Sequence, residues 1–177
     1  LPLTLGDQLA AIDRLKFSQA QTHHHTGHSP ENFRLNHHNK MARDLFHNVV
    51  KAALIAEGWQ ITHDPFPIDY GDVQMQIDLG AERLLAAQRD ADKIAIEIKS
   101  FINPSAISEF HTAVGQYLNY RRALRVQEPD RILYLAVPSQ AYQQFFRLKF
   151  VEEGIKEYQL YLAVYDVEEK RIIQWIK

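Results

Sequence analysis

The chain has 177 residues, 46% of them hydrophobic and 24% charged, with a formal net charge of −2, which suits one soluble domain with a real core. It contains no cysteine, so disulfides, thiolate metal sites and cysteine nucleophiles are excluded. No apolar run nears the roughly 20 residues that cross a bilayer and no secretory signal is visible, so the expectation is a cytoplasmic protein without membrane contact, gripping any nucleic acid by a local patch rather than a global basic field.

Residues 1–40 read as an N-terminal extension or tag. Six of the nine histidines lie there, His23, His24, His25, His28, His37 and His38, among Gly27, Ser29, Pro30 and several asparagines. A short amphipathic stretch from Leu9 to Phe17 suits a helix, and Met41 is a natural start. A metal-binding tract is the alternative reading of the histidines.

Residues 41–177 read as a single domain. Leu45, Val49, Ala52, Ala53 and Ile55 recur at helical spacing over Asp44–Glu57, with Gly58 where a C-terminal cap belongs. Trp59–Thr62 alternates as a short strand. Pro65 and Pro67 break the chain into a loop, and Asp69–Asp72 reads as a turn. Val73, Met75, Ile77 and Leu79 alternate with Gln74, Gln76 and Asp78, a half-buried strand that puts Asp78 on its polar face. Gly80 interrupts it, implying a bulge or bend. Leu84–Gln88 leans to a strand, with Arg89–Asp92 as a hairpin loop.

Lys93–Lys99 is the cleanest strand: Ile94, Ile96 and Ile98 face one way, Ala95, Glu97 and Lys99 the other. Asn103 or Ser105 caps a helix with Pro104 in its first turn, running from about Ser105 to Arg125. Ile132–Val137 is a continuous apolar strand of the kind buried on both faces. Ser139 opens another helix through Phe146, and Gln159–Val167 and Arg171–Ile176 are strands about a turn at Glu168–Lys170. This order predicts an α/β domain, a mixed β-sheet flanked by helices.

Breaking a phosphodiester at neutral pH calls for a divalent cation held by hard oxygens, an activated water and compensation of developing negative charge. Asp78 and Glu97 supply carboxylates, the Ile98 carbonyl offers a third oxygen, and Lys99 supplies an ammonium on the same strand face as Glu97. Mg²⁺ or Mn²⁺ is the matching ion. The bland alternative is a solvated strand face carrying a salt pair worth at most about 1 kcal/mol. Gln116 and Tyr120 share one face of the following helix at i,i+4. Asp44 is a candidate outer ligand on the first helix, with His47 and Lys51 on the same face. Arg121, Arg122 and Arg125 form the main basic cluster, suited to phosphate or simply to the helix C-terminus. His63-Asp64 lacks any serine or cysteine nucleophile motif to serve.

Asp78, then Glu97-Ile98-Lys99 on the next strand, resembles the PD-(D/E)xK nuclease signature, without the proline before the aspartate. The Gln116…Tyr120 pair resembles the added motif of RecB-like and Cas4-like nucleases. Longer segments are similar to the XisH family, the fdxN-element excision controlling factors of cyanobacteria: Met41–Asn48, Gly58-Trp59, Thr62–Pro65, Asp78–Glu82 with Leu84–Ala87, Ile94–Phe101 and Pro129–Pro138. The resemblance covers 41–177. It implies a restriction-endonuclease-like fold, DNA as substrate or partner, an accessory role in programmed DNA excision, and a companion protein of the XisI type. Two readings stay open: a Mg²⁺-dependent endonuclease, or a catalytically inactive nuclease-fold factor that binds DNA or protein. Self-association is left open as well.

Overall fold

The computed structural model describes residues 30–84, 91–102 and 105–177. The elements run α1 (Pro30–Ala56), β1 (Gln60–His63), β2 (Phe66–Tyr70), β3 (Val73–Ile77), β4 (Leu79–Leu84), β5 (Ala91–Ile98), α2 (Ala106–Gln127), β6 (Arg131–Pro138), a short α3 (Ser139–Ala141) continuing into a π-helical turn (Tyr142–Phe146), α4 (Lys149–Glu157), β7 (Leu162–Asp166) and β8 (Arg171–Ile176). Six strands form one sheet in the order β1-β4-β5-β6-β7-β8, and β2 and β3 form a separate hairpin. The β5–β6 and β6–β7 pairs are parallel and the others antiparallel. The expected mixed sheet flanked by helices is what the chain builds.

Strand alternation sorts the core into two layers. On one face, Phe46, Val49, Val50, Ala53 and Leu54 of α1 pack on Leu79, Ile94, Ile96, Tyr134, Ala136 and Tyr165. On the other, Phe110, Tyr117 and Leu124 of α2, Phe146 and Val151 pack on Ala95, Leu133, Leu135, Val137 and Val164, with Phe66, Ile68 and Ile77 of the hairpin. The continuous apolar run of β6 is thus buried on both sides, as its composition predicts.

Helix α1 closes as expected. Gly58 takes φ +86°, its N–H reaches Ile55 O at 3.0 Å, and the Trp59 N–H reaches Leu54 O at 3.0 Å, the paired bonds of a Schellman cap. Its start lies at Pro30 rather than Asp44. Proline suits a first helical turn, and a polar helical segment carries no apolar stripe for periodicity to detect. The Leu9–Phe17 stretch, Leu84–Gln88 beyond its first residue, Arg89 and Asp90 of the expected hairpin loop, and Asn103 and Pro104 lie outside the described residues, whereas Ala91 and Asp92 of that loop belong to β5, paired with Leu84 and Arg83. Ser105 is the N-cap of α2, accepting from the Ser108 N–H.

Other expectations are corrected. Of the two prolines expected in a loop, Pro65 does lie in the bend between β1 and β2, but Pro67 stands in the strand Phe66–Tyr70, opposite Gln76. A hairpin strand leaves one edge free of ladder bonds, where proline is tolerated, and here the Gln127 amide serves that edge, donating to Pro67 O (3.1 Å) and accepting from the Asp69 N–H (2.9 Å). Asp78 is not inside a strand but at the bend between β3 and β4, because there the chain leaves the hairpin for the main sheet. Gly80 is not the bend; it sits in β4 opposite Ala95, and the bulge expected there falls on the facing strand, where the β1 register shifts between Ile61 and His63 opposite Ala81 and Gly80. The role of Gly80 is close approach, since a Cβ there would lie 2.5 Å from Phe66 Cδ2. The helix expected to run through Phe146 gives way to the π-helical turn at Tyr142, and α4, absent from the sequence reading, occupies Lys149–Glu157. The strand expected from Gln159 begins at Leu162.

Candidate active site

Alternation along β5 puts Glu97 and Lys99 on the hairpin side of the sheet. Glu97 is only 4% exposed, and the Lys99 Nζ donates to its Oε1 at 2.8 Å. Asp78 reaches the same place from the β3–β4 bend: its Oδ2 accepts the Ile98 backbone N–H at 2.7 Å, and a backbone hydrogen bond links Asp78 to the Glu97 carboxylate. These bonds hold two carboxylates and one ammonium together at the end of β5. Burial, then the negative charge of Asp78, pushes the Glu97 carboxyl above the usual range, against the opposing pull of Lys99.

Helix α2 supplies the opposite wall. Tyr120 is buried, and its hydroxyl is pushed up to about 12, first by burial and then by the charges of Glu97 and Asp78; the Gln116 side chain hydrogen-bonds to it and acts in the other direction. The Gln116 Oε1 is buried without a hydrogen-bond partner. Asp44 and His47 of α1 line the same cleft, whose volume is about 830 Å³. The expected Asp78, Glu97, Ile98, Lys99, Gln116, Tyr120 and Asp44 therefore all line one cavity.

The three arginines stand elsewhere. None lines the cleft. Arg121 Nη1 donates to Tyr158 O and Gln159 O at 2.8 and 2.9 Å, tying α2 to the turn after α4. Arg122 lies over the Tyr70 ring at 5.4 Å, and Arg125 is in the last turn of α2. An arginine that does line the cleft, Arg43 on α1, escaped the sequence reading. So did Glu109, on the cleft wall of α2. Its signal was present: Glu109, Thr112, Gln116 and Tyr120 follow helical spacing on one polar stripe.

His63-Asp64 forms no triad. Asp64 instead accepts from His47 Nε2 at 2.8 Å and Lys51 Nζ at 2.7 Å, pinning α1 to the loop before β2. Burial tends to raise the Asp64 carboxyl, but Lys51 and His47 outweigh it and the net direction is down. A carboxyl depressed on folding stabilises the native state above the ordinary carboxylate range, and that contribution fades as pH falls through the depressed value. Asp64→Asn is therefore expected to cost up to about 1 kcal/mol at neutral pH, the range of partly exposed ion pairs, and nothing in strong acid. Urea titrations at the two pH values check this; an equal loss at both would contradict it.

The donor set suits a hard divalent cation. Both side chains offer carboxylate oxygens, and the like-charge pressure on buried Glu97 is what a bound cation would relieve. Among the described residues no three His, Asp or Glu side chains gather into a cluster, so a third protein ligand would be a main-chain oxygen such as that of Ile98. Among the described residues no helix is long and apolar enough to cross a membrane.

Comparison with known proteins gives a consistent result. A family model described as XisH protein matches residues 40–173. The crystal structure of an XisH family protein from Nostoc punctiforme is 51% identical, with a TM-score of 0.70 over 75% of this chain and 99% of that one. The crystal structure of an fdxN element excision controlling factor protein from Anabaena variabilis is 53% identical, with a TM-score of 0.69 over 76% of this chain and 99% of that one. No curated protein matches.

Proposed function

The chain belongs to the XisH family, and from that membership and the cleft we propose a DNA-acting accessory factor in programmed element excision, with a PD-(D/E)xK-type site that hydrolyses phosphodiesters. One observation carries the hydrolytic part: a 4%-exposed Glu97 beside Asp78, with Lys99 Nζ at 2.8 Å. A lone surface salt pair has no reason to bury a carboxylate next to a second one, because desolvation and like charge both oppose it.

Asp78, Glu97 and the Ile98 carbonyl would hold Mg²⁺ or Mn²⁺. Bound there, the ion would lower the pKa of a water and polarise a phosphoryl oxygen. Lys99, anchored on Glu97, offers its ammonium to charge building on the phosphate oxygens. Gln116 carries an unpartnered buried oxygen and Tyr120 a hydroxyl that stays protonated at any physiological pH; both face the cleft and can orient a nucleotide. Arg43, exposed and lining the cleft, can meet a neighbouring phosphate, one of the two roles read from sequence for Arg121, Arg122 and Arg125.

The test is cleavage of plasmid, linear and branched DNA with Mn²⁺, Mg²⁺ or EDTA, beside thermal melts under the same conditions. Mn²⁺ at 100 times its dissociation constant should stabilise the protein by about 2.7 kcal/mol, and cutting should need the ion. A flat melting temperature with no cutting would overturn the hydrolytic reading. The second reading, a nuclease-fold factor that binds without cutting, draws on the net charge of −2 and on the absence of the three arginines from the cleft. Stable association with a XisI-type companion and no hydrolysis by the pair would favour it.

A further inference from the structure

Phe101, two residues beyond Lys99, has φ +52°. This left-handed region is unfavourable for a residue with a bulky side chain and persists only where the surroundings over-determine it. Two contacts do so here. The Phe101 N–H donates to Glu109 Oε1 at 3.0 Å. The buried Phe101 ring meets Phe146 edge-on at 4.8 Å and Phe145 at 5.9 Å, and both of those rings also contact Phe110, the neighbour of Glu109 on α2. On the other side of Lys99, β5 ends at Ile98 and one further ladder bond runs from the Lys99 N–H to Ala136 O at 3.0 Å. The lysine backbone is therefore held by the sheet from one side and by the Glu109-bound turn from the other.

We propose that Glu109 is a positioning residue: its bond to the left-handed Phe101 turn sets where the Lys99 ammonium rests against Glu97. Glu109 lines the cleft with the site residues, but the role assigned to it here runs through the main chain. What matters is an acceptor oxygen at that distance, not negative charge. Glu109→Gln keeps such an oxygen, Glu109→Asp withdraws it by one methylene while keeping the charge, and Glu109→Ala removes it. A positioning role ranks glutamine above aspartate, whereas a role through negative charge ranks aspartate above glutamine.

The readout is the rate at which an N-hydroxysuccinimide ester acylates Lys99 in the full chain in EDTA, followed by mass spectrometry. Lys149, whose side chain is 89% exposed, serves as the internal reference. In the wild type Lys99, 19% exposed and bound to Glu97, should react slowly. Glu109→Ala and Glu109→Asp should each raise its relative rate about tenfold, the upper end for loss of one hydrogen bond, while Glu109→Gln stays near the wild type. In cleavage assays the first two should lower kcat at unchanged KM, with glutamine rescuing. Should the alanine variant fail to fold, aspartate against glutamine decides. Unchanged Lys99 acylation in folded Glu109→Asp, or glutamine behaving like aspartate, would overturn the proposal. The kinetic arm rests on the hydrolytic reading and the acylation arm does not. If the wild type cuts no DNA while acylation follows the pattern, the nuclease assignment fails and the positioning role stands.

Discussion

Glu97→Gln is expected to reduce metal-dependent DNA cleavage by on the order of 10³-fold, the scale of removing a group that stabilises transition-state charge, while the melting temperature in EDTA holds or rises. The two halves have one cause. Glu97 is buried and pressed by Asp78, and its carboxyl is raised for those reasons, so its charge is a cost to folding that function tolerates. Glutamine keeps the shape and removes that charge. Lys99 loses the charge of its partner though not an acceptor oxygen, and with a 19%-exposed side chain it can recover water. Because a carboxyl raised on folding weakens the native state as pH climbs through its shifted value, the stabilising effect of glutamine should be larger at pH 8 than at pH 4. Single-turnover cleavage and paired melts measure both halves. Undiminished cleavage would remove Glu97 from the site, and a large stability loss would show that the Lys99 pair outweighs burial.

The largest effect on stability is expected at Arg131, whose replacement by alanine should cost about 3 kcal/mol, the lower end for removing one partner from a buried ionic network. Its side chain is 1% exposed and stands at the start of β6. It donates to Ile94 O at 2.9 Å, Ala81 O at 3.3 Å, Glu82 Oε1 at 2.8 Å and Glu128 Oε2 at 2.9 Å, and lies over the Phe66 ring at 4.6 Å. One guanidinium thus joins β4, β5, the end of α2 and the hairpin. Glu82 and Glu128 are partly exposed and would rehydrate, so the penalty falls on the two carbonyls and the cavity beside Phe66. Denaturant titration of Arg131→Ala gives the figure directly. A loss under about 1 kcal/mol would mean that water replaces the network, as at an ordinary surface pair.

These two residues were unequally visible from the chain. Glu97 stood out because period-two alternation in Ile94–Lys99 is a local signal, and a strand carries it into the fold unchanged. Gln116 and Tyr120 were equally legible, since i,i+4 spacing on a helix guarantees a shared face. Arg131 gave no sign: it is one arginine before an apolar run, and its four acceptors come from segments between 3 and 50 residues away. The basic run Arg121, Arg122 and Arg125, read as suited to phosphate or to the helix end, is spread apart because adjacency in a helix distributes side chains around the axis, so Arg121 turns to the Tyr158 carbonyl, Arg122 to the Tyr70 ring, and Arg125 sits in the last turn of α2.

What the sequence determined by itself was whatever repeats at short range: the faces of β5 and α2, the doubly buried β6, the Gly58 cap, and the long segments that mark the XisH family. The tertiary structure alone decided how those faces meet. It moved Asp78 from a strand face to a bend, where the Ile98 N–H fixes its carboxylate beside Glu97; it put Pro67 in a hairpin strand rather than a loop; and it drew Glu109 and Arg43 onto the cleft. Local periodicity fixes which way a side chain leaves its own element, whereas contacts across long loops depend on how two buried layers close around one sheet, and no window of neighbouring residues contains that information.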